Sequence, residues 1–196
     1  MAAGSVEGTK ERILDAAYKL FAEHGYEHTP ISLIMKTVGR SKGTFYSHYQ
    51  RKEDIALDII DKQVYRNYGF IEKVVEPYIY QKDYHVLDFF TGYFTIGLHL
   101  EDRKEWTLVF NDLIRLSIKD EVIREKLSLV HNGWIYLFNR AISRGIELKQ
   151  LSEDIDREAI IKVILSLYKG IQLERTYGNG PDIEQIRYIL ERILRQ

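Results

Sequence analysis

Residues 39–52 read GRSKGTFYSHYQRK, and this stretch sets the reading of the whole chain. A glycine turn leads into a short segment mixing small polar, aromatic and basic residues, and two further cations close it. From His28 to Lys52 there are five Lys or Arg (Lys36, Arg40, Lys42, Arg51, Lys52) and no Asp or Glu. The other 23 of the 28 cations face all 29 acids, so the remainder carries a net charge of -6 although the whole chain stands at -1. A local positive potential on an acidic body marks one anion-seeking surface, the electrostatic pattern of a nucleic-acid contact.

Outside this stretch, 196 residues with 45% hydrophobic content suffice to bury a large core, as one domain or two small ones, which argues against disorder. The absence of cysteine removes disulfides, thiolate nucleophiles and Cys-based zinc sites. No apolar run is long enough for a membrane span. The opening MAAGSVEGTKER lacks the apolar core of a signal peptide, so a cytoplasmic location is the expectation. With only 3 Pro and 13 Gly, and apolar residues recurring at spacings of three and four, the pattern predicts an all-α protein. Neither an internal repeat nor a low-complexity segment interrupts it.

The first helix is predicted from about Ser5 or Val6 to His24, because Ile13, Leu14, Ala17, Leu20 and Phe21 form one stripe and Gly25 is placed to end it. Thr29 and Pro30 read as an N-cap and a first helical residue, opening a second helix whose Ile31, Ile34, Met35 and Val38 face inward until Gly39 turns the chain. Ser41 caps a third, running from Lys42 to His48, with Phe45 as its inward anchor. Two short helices joined by a glycine-containing turn make a helix-turn-helix.

In order, Thr29-Pro30, Gly39, Ser41-Lys42-Gly43-Thr44-Phe45-Tyr46, His48-Tyr49 and Lys52-Glu53-Asp54 resemble the signature of TetR-family transcriptional repressors, over roughly residues 8 to 60. The resemblance implies a homodimeric, all-helical repressor of about nine helices, with an N-terminal DNA-binding head and a C-terminal ligand-binding and dimerisation body. The division expected is a helix-turn-helix domain over residues 1–52, with the fourth helix as linker, and a body over 53–196. Two positions depart from the family pattern. Arg40 stands where a small apolar residue is usual and adds a possible DNA contact, and Ile34-Met35 replaces the usual Ile-Ala, a change in head packing.

A recognition helix places short side chains at base edges and longer ones on the flanking phosphates. Gly43 permits close approach, while Lys42 and Tyr46, one turn apart on the same face, are the candidates for the bases. Thr44 and Ser47 suit bases or phosphates, and Ser41 and Thr29 offer hydroxyls at helix starts. His48 and Lys52 match the family's phosphate contacts, and Lys52 lies at the start of the fourth helix, whose dipole favours an anion. That helix carries Ile55, Leu57, Ile59, Ile60 and Val64 on towards Val75, where Pro77 is expected to stop it. Displacement of this helix by a ligand would turn two heads out of register with successive major grooves about 34 to 36 Å apart.

Residues 83–147 read as three or so further helices dense in aromatics. Phe90, Tyr93, Phe94, Trp106, Phe110, Trp134 and Phe138 are the candidates to line a pocket for a flat or apolar effector, with His99 and Asn111 as polar handles. In the last two helices, Ile160, Val163, Leu167 and Ile171, then Ile186, Ile189, Leu190 and Ile193, form stripes that fit a dimer interface or burial within one subunit. Ser166 and Gly170 leave room for close helix approach.

The partners implied are therefore a palindromic double-stranded DNA operator, a small-molecule effector of unspecified identity and a second copy of the chain, with no membrane. The alternatives are a DNA-binding regulator controlled by a protein partner, an activator with the same head, and an all-helical enzyme. For the enzyme, no phosphate-cradling glycine loop, nucleophile elbow or metal-ligand cluster is present, and no cofactor or metal is expected.

Overall fold

The computed structural model describes residues 6–70, 73, 75–99 and 103–195. Ten helices occur among them: α1 (Val6–His24), α2 (Ile31–Val38), α3 (Lys42–Tyr46), α4 (Lys52–Phe70), α5 (Glu76–Ile79), α6 (Val86–His99), α7 (Arg103–Ser117), α8 (Glu121–Glu147), α9 (Arg157–Glu174) and α10 (Ile183–Leu194). No strand is present among the described residues. The all-α expectation holds. Ser5, where the first helix was allowed to begin, lies outside the described residues, as do parts of the segment between Phe70 and Val75. Pro77 sits in the first turn of α5, where its missing N–H costs nothing, rather than ending a helix.

The chain divides into two compact units. One comprises residues 1–66 and 105–128, the other residues 67–104 and 129–196. The first unit thus contains the expected head but also most of α4, nearly all of α7 and the start of α8, so the compact division does not fall at residue 52.

In the first unit, α1 packs on α2 and α2 on α3. Ile13, Ala17, Phe21, Ile34, Met35, Val38 and Phe45 are buried there, each of the side chains larger than Ala17 stabilising by about 1.5–3 kcal/mol against exposure. Gly39 ends α2 in the left-handed region, at φ 70° and ψ 39°, and the Arg40 N–H closes onto the Met35 carbonyl at 3.0 Å. A side chain at Gly39 would meet nothing, so the requirement is one of backbone conformation alone.

In the second unit, α10 packs against α6 and α9 around Phe90, Phe94, Phe138, Ile142, Ile164, Ile186 and Leu190. Asp182 starts α10 with a capping box: it accepts from the Gln185 N–H, and the Gln185 side chain accepts from the Asp182 N–H.

Candidate nucleic-acid interface

Ser41 begins the recognition segment. Its hydroxyl accepts the Thr44 N–H at 3.3 Å and lies 3.2 Å from the Thr44 hydroxyl. Capping of this kind matters more in α3 than elsewhere, because a helix of five residues has almost no internal hydrogen bonds of its own. Rotation is set by apolar anchors. Phe45 is fully buried and Tyr49, four residues on, is buried beside it with ring centroids 5.6 Å apart. The Tyr49 hydroxyl donates to Asp58 at 3.1 Å, and Asp58 also pairs with Lys10 at 2.7 Å.

With 45 and 49 turned in, 42, 43, 46 and 47 must turn out. Lys42, Gly43 and Ser47 are exposed, and Tyr46 is 59% exposed, its ring edge-on to Phe45 at 5.3 Å. Arg40, Ser41 and Lys36 add to the same exposed region, and none of Lys36, Arg40 and Lys42 makes an ion pair among the described residues. Thr44 and His48 are half-buried, and the Ser47 hydroxyl donates to the Thr44 carbonyl at 2.8 Å. The surface therefore combines three cations, a projecting phenol, two hydroxyls and a glycine.

Two expected contacts are corrected by their burial. Thr29 is 0% exposed, and its hydroxyl donates to the carbonyls of Gly25 at 2.8 Å and Leu20 at 3.2 Å. It neither caps α2, whose N-cap is Pro30, nor faces a phosphate. A buried hydroxyl has to find its acceptor inside the protein, and one carbonyl of α1 and one of the turn after it supply it. Lys52 also points inward: its Nζ donates to the Tyr26 carbonyl at 2.8 Å and the Thr29 carbonyl at 3.3 Å, and lies 4.0 Å from the centre of the Tyr26 ring. Burial lowers its pKa below the usual lysine value, with Glu27, Glu53 and Asp112 opposing. Asp54 accepts the N–H groups of Gln50 and Arg51 at 2.8 and 3.0 Å, so the chain supplies its own anion at the start of α4.

A further residue carries no local signal in the sequence. Asp112, on α7, accepts the Tyr26 N–H at 2.7 Å across a separation of 86 residues. Tyr26 is thereby held from both ends, its N–H by Asp112 and its carbonyl by Lys52.

The aromatic candidates for an effector pocket fall in both units. Trp106 and Phe110, 5.4 Å apart, lie in the first unit, whereas Phe90, Tyr93, Phe94, Trp134 and Phe138 lie in the second. Phe90, Phe94 and Phe138 are fully buried, and the rings pack on each other edge-to-face, Phe90 on Phe138 at 5.1 Å and Tyr93 on Phe138 at 4.9 Å. Asn111 donates to the Thr107 carbonyl at 2.9 Å, which places it on its own helix, and the His99 side chain lies outside the described residues.

The head is matched by the family model of bacterial regulatory proteins of the tetR family over residues 13–59. Relatives extend the likeness along the chain. The fatty acid metabolism regulator protein of Bacillus subtilis is 24% identical over 74% of this chain and 72% of its own length. The A-factor receptor protein of Streptomyces griseus is 42% identical over 88% of this chain but 56% of its own length. A TetR transcription regulator from Haloarcula marismortui has the same fold, with a TM-score of 0.76 and 17% identity over 96% of this chain and 97% of that one. The chain belongs to the TetR family. It is a transcriptional regulator with a DNA-binding helix-turn-helix, not an enzyme. No helix among the described residues of this TetR-family protein is long and apolar enough to cross a membrane.

Proposed function

We propose that this regulator is a ligand-responsive repressor that binds a palindromic operator as a dimer and releases it when a small effector occupies the body. The observation that carries the reading is the outward face of α3, where Lys42, Gly43 and Tyr46 stand exposed for base edges because Phe45 and Tyr49 anchor the opposite face. Ser41, Thr44, Ser47, His48 and Arg40 take the flanking phosphates. The receptor named among its relatives supports ligand response, and Trp134, half-buried beside Tyr93 and Phe138, is where an apolar part of an effector would meet the ring cluster.

The dimer surface in this proposal differs from the stripes read from sequence, because Ile160, Ile171, Ile186 and Leu190 are covered by their own chain. The free face of α9 is Ala159, Val163, Ser166, Gly170 and Leu173, all exposed at alternating spacings of four and three. Nothing lies within 4 Å of a side chain placed at Gly170. Tyr188 and Ile189 of α10, 55% and 44% exposed, lie in the same unit, while Leu167 and Ile193 are half-buried. Small residues along such a stripe let a second copy approach closely, and the isologous pairing of two α9–α10 faces gives a four-helix interface.

Selection of bound sequences from a random duplex pool tests the whole reading. The expected result is a palindrome with half-sites about 10 base pairs apart or a multiple of that, and log K falling by about 0.9 per phosphate neutralised per decade of salt. No enrichment at low salt from a folded dimer, or a flat salt response, overturns it.

A further inference from the structure

A cavity of about 390 Å³ opens in the second unit, lined by Leu98 at the end of α6, Arg103 and Lys104 at the start of α7, and Gln172, Arg175, Thr176, Gly178 and Asn179 at the end of α9 and the turn that follows. Its volume falls in the ordinary range for small-molecule sites, but its wall is not the aromatic one the sequence leads one to expect. Three cations line it and, among the lining residues, no carboxylate. Several other cations of this unit are paired, Arg140 with Glu76, Arg144 with Glu147, Lys162 with Glu158, Arg187 with Asp88 and Arg195 with Glu191. Lys104 and Arg175 make no ion pair among the described residues.

The wall is also held in place. The Arg175 Nη2 donates to the Pro181 carbonyl at 3.3 Å, and its side chain lies over Gly180, where a Cβ would stand 2.9 Å from the Arg175 Cγ. Its Nε is buried without a hydrogen-bond partner. The Gln172 amide donates to the Gly97 carbonyl at 2.9 Å, fixing its plane. Arg103 acts on the buried Tyr93 and Tyr168 hydroxyls: burial raises both phenols, and the Arg103 charge opposes that rise. A concave surface with charges of one sign focuses its field on the enclosed space, and guanidinium and ammonium donors match the oxygens of a carboxylate or phosphate.

We propose that this cavity binds a small organic oxyanion, a carboxylate or a phosphate monoester, at Lys104, Arg175 and Arg103, and that this anion is the effector. The second clause rests on the ligand-responsive reading above; the first does not. Calorimetric titration of the full-length protein without DNA, using octanoate, benzoate and phenyl phosphate against octanol, benzamide and phenol, tests the site directly. The expected result is that at least one oxyanion binds about tenfold or more tighter than its neutral counterpart, the carboxylate and phosphate arms identifying the headgroup. The double variant Lys104→Met, Arg175→Met is expected to lose that affinity while its operator affinity without ligand stays unchanged and its thermal midpoint falls only as far as the lost Arg175 hydrogen bond to the Pro181 carbonyl accounts for. Equal binding of neutral and charged compounds, unchanged affinity in the folded double variant, or no binding of any of the three oxyanions overturns the site. The binding oxyanion is then added to the operator complex. Release supports the effector role, and an unmoved complex overturns that role. A protein that binds the oxyanion but no operator would leave the cavity standing and remove the repressor.

Discussion

Lys42 and Lys52 belong to the same motif, carry the same charge and lie ten residues apart, yet one is exposed and the other donates into the carbonyls of Tyr26 and Thr29. Thr29 and Ser47 divide in the same way, one hydroxyl buried against α1 and the other on an exposed residue of the recognition segment. A family signature thus records two kinds of constraint at once. Some residues touch the nucleic acid, and others fix the angle at which those residues are presented. Base readout depends on placement to a fraction of an ångström, so the second kind is as restricted as the first, and its residue types are equally polar.

The largest effect that would break this division is at its hinge. Phe45→Ala empties a fully buried site and is expected to cost about 3–5 kcal/mol of stability in a chemical denaturation series, with operator binding lost because α3 has no other apolar anchor besides Tyr49. A loss of operator binding with stability unchanged would mean that Phe45 itself faces the DNA.

Lys52→Met comes next. Removing charge-assisted hydrogen bonds from two carbonyls is expected to cost about 1.5–3 kcal/mol of stability, again measured by denaturation. The slope of log K against log salt is expected to stay as in the parent protein. Lys42→Met is the converse. Its stability is expected to change by no more than about 0.5 kcal/mol, and its operator affinity to fall by about 1–3 kcal/mol with relaxed preference at particular base pairs. If Lys52→Met instead lowers the salt slope by about 0.9, the lysine swings outward on DNA and the division drawn here fails at that residue.

How much of this was legible in the sequence depends on range. The helices, the turn at Gly39, the cap at Ser41 and the inward Phe45 follow from spacing within a few residues, and all appear in the fold. The burial of Thr29 and the inward turn of Lys52 do not, because their partners are backbone carbonyls at the end of α1 and in the turn after it, and a carbonyl leaves no mark on the sequence. Asp112 is one acid among 29, and its role depends on where α7 lies, 86 residues from Tyr26. In the second unit, period told which faces of α9 and α10 are apolar, but not which apolar residue the chain covers itself. Ile160 and Val163 look alike in the pattern, and only Val163 is exposed. The cationic cavity was invisible because about seventy residues of chain separate Arg103 and Lys104 from Arg175.

The smallest effect expected is a test of the inward side by pH. Tyr49 is buried, its phenol raised above the ordinary value first by burial and then by the neighbouring charge of Asp58. Its folded pKa therefore exceeds the unfolded value of about 10, so its contribution to stability is fully present below about pH 10 and is lost as pH rises from there through the folded value. Tyr26 acts in the same direction in the same unit, also chiefly through burial. Denaturation midpoints followed from neutral into alkaline solution are expected to fall above about pH 10. Tyr49→Phe is expected to make that fall shallower, and to cost about 0.5–1.5 kcal/mol at neutral pH for the lost hydrogen bond to Asp58. Tyr46→Phe, at an exposed position, is expected to leave the neutral stability unchanged and to weaken operator binding, the opposite pattern. An alkaline fall that Tyr49→Phe does not alter would show that Tyr49 is exposed to solvent, and with it that α3 is turned differently on its anchors.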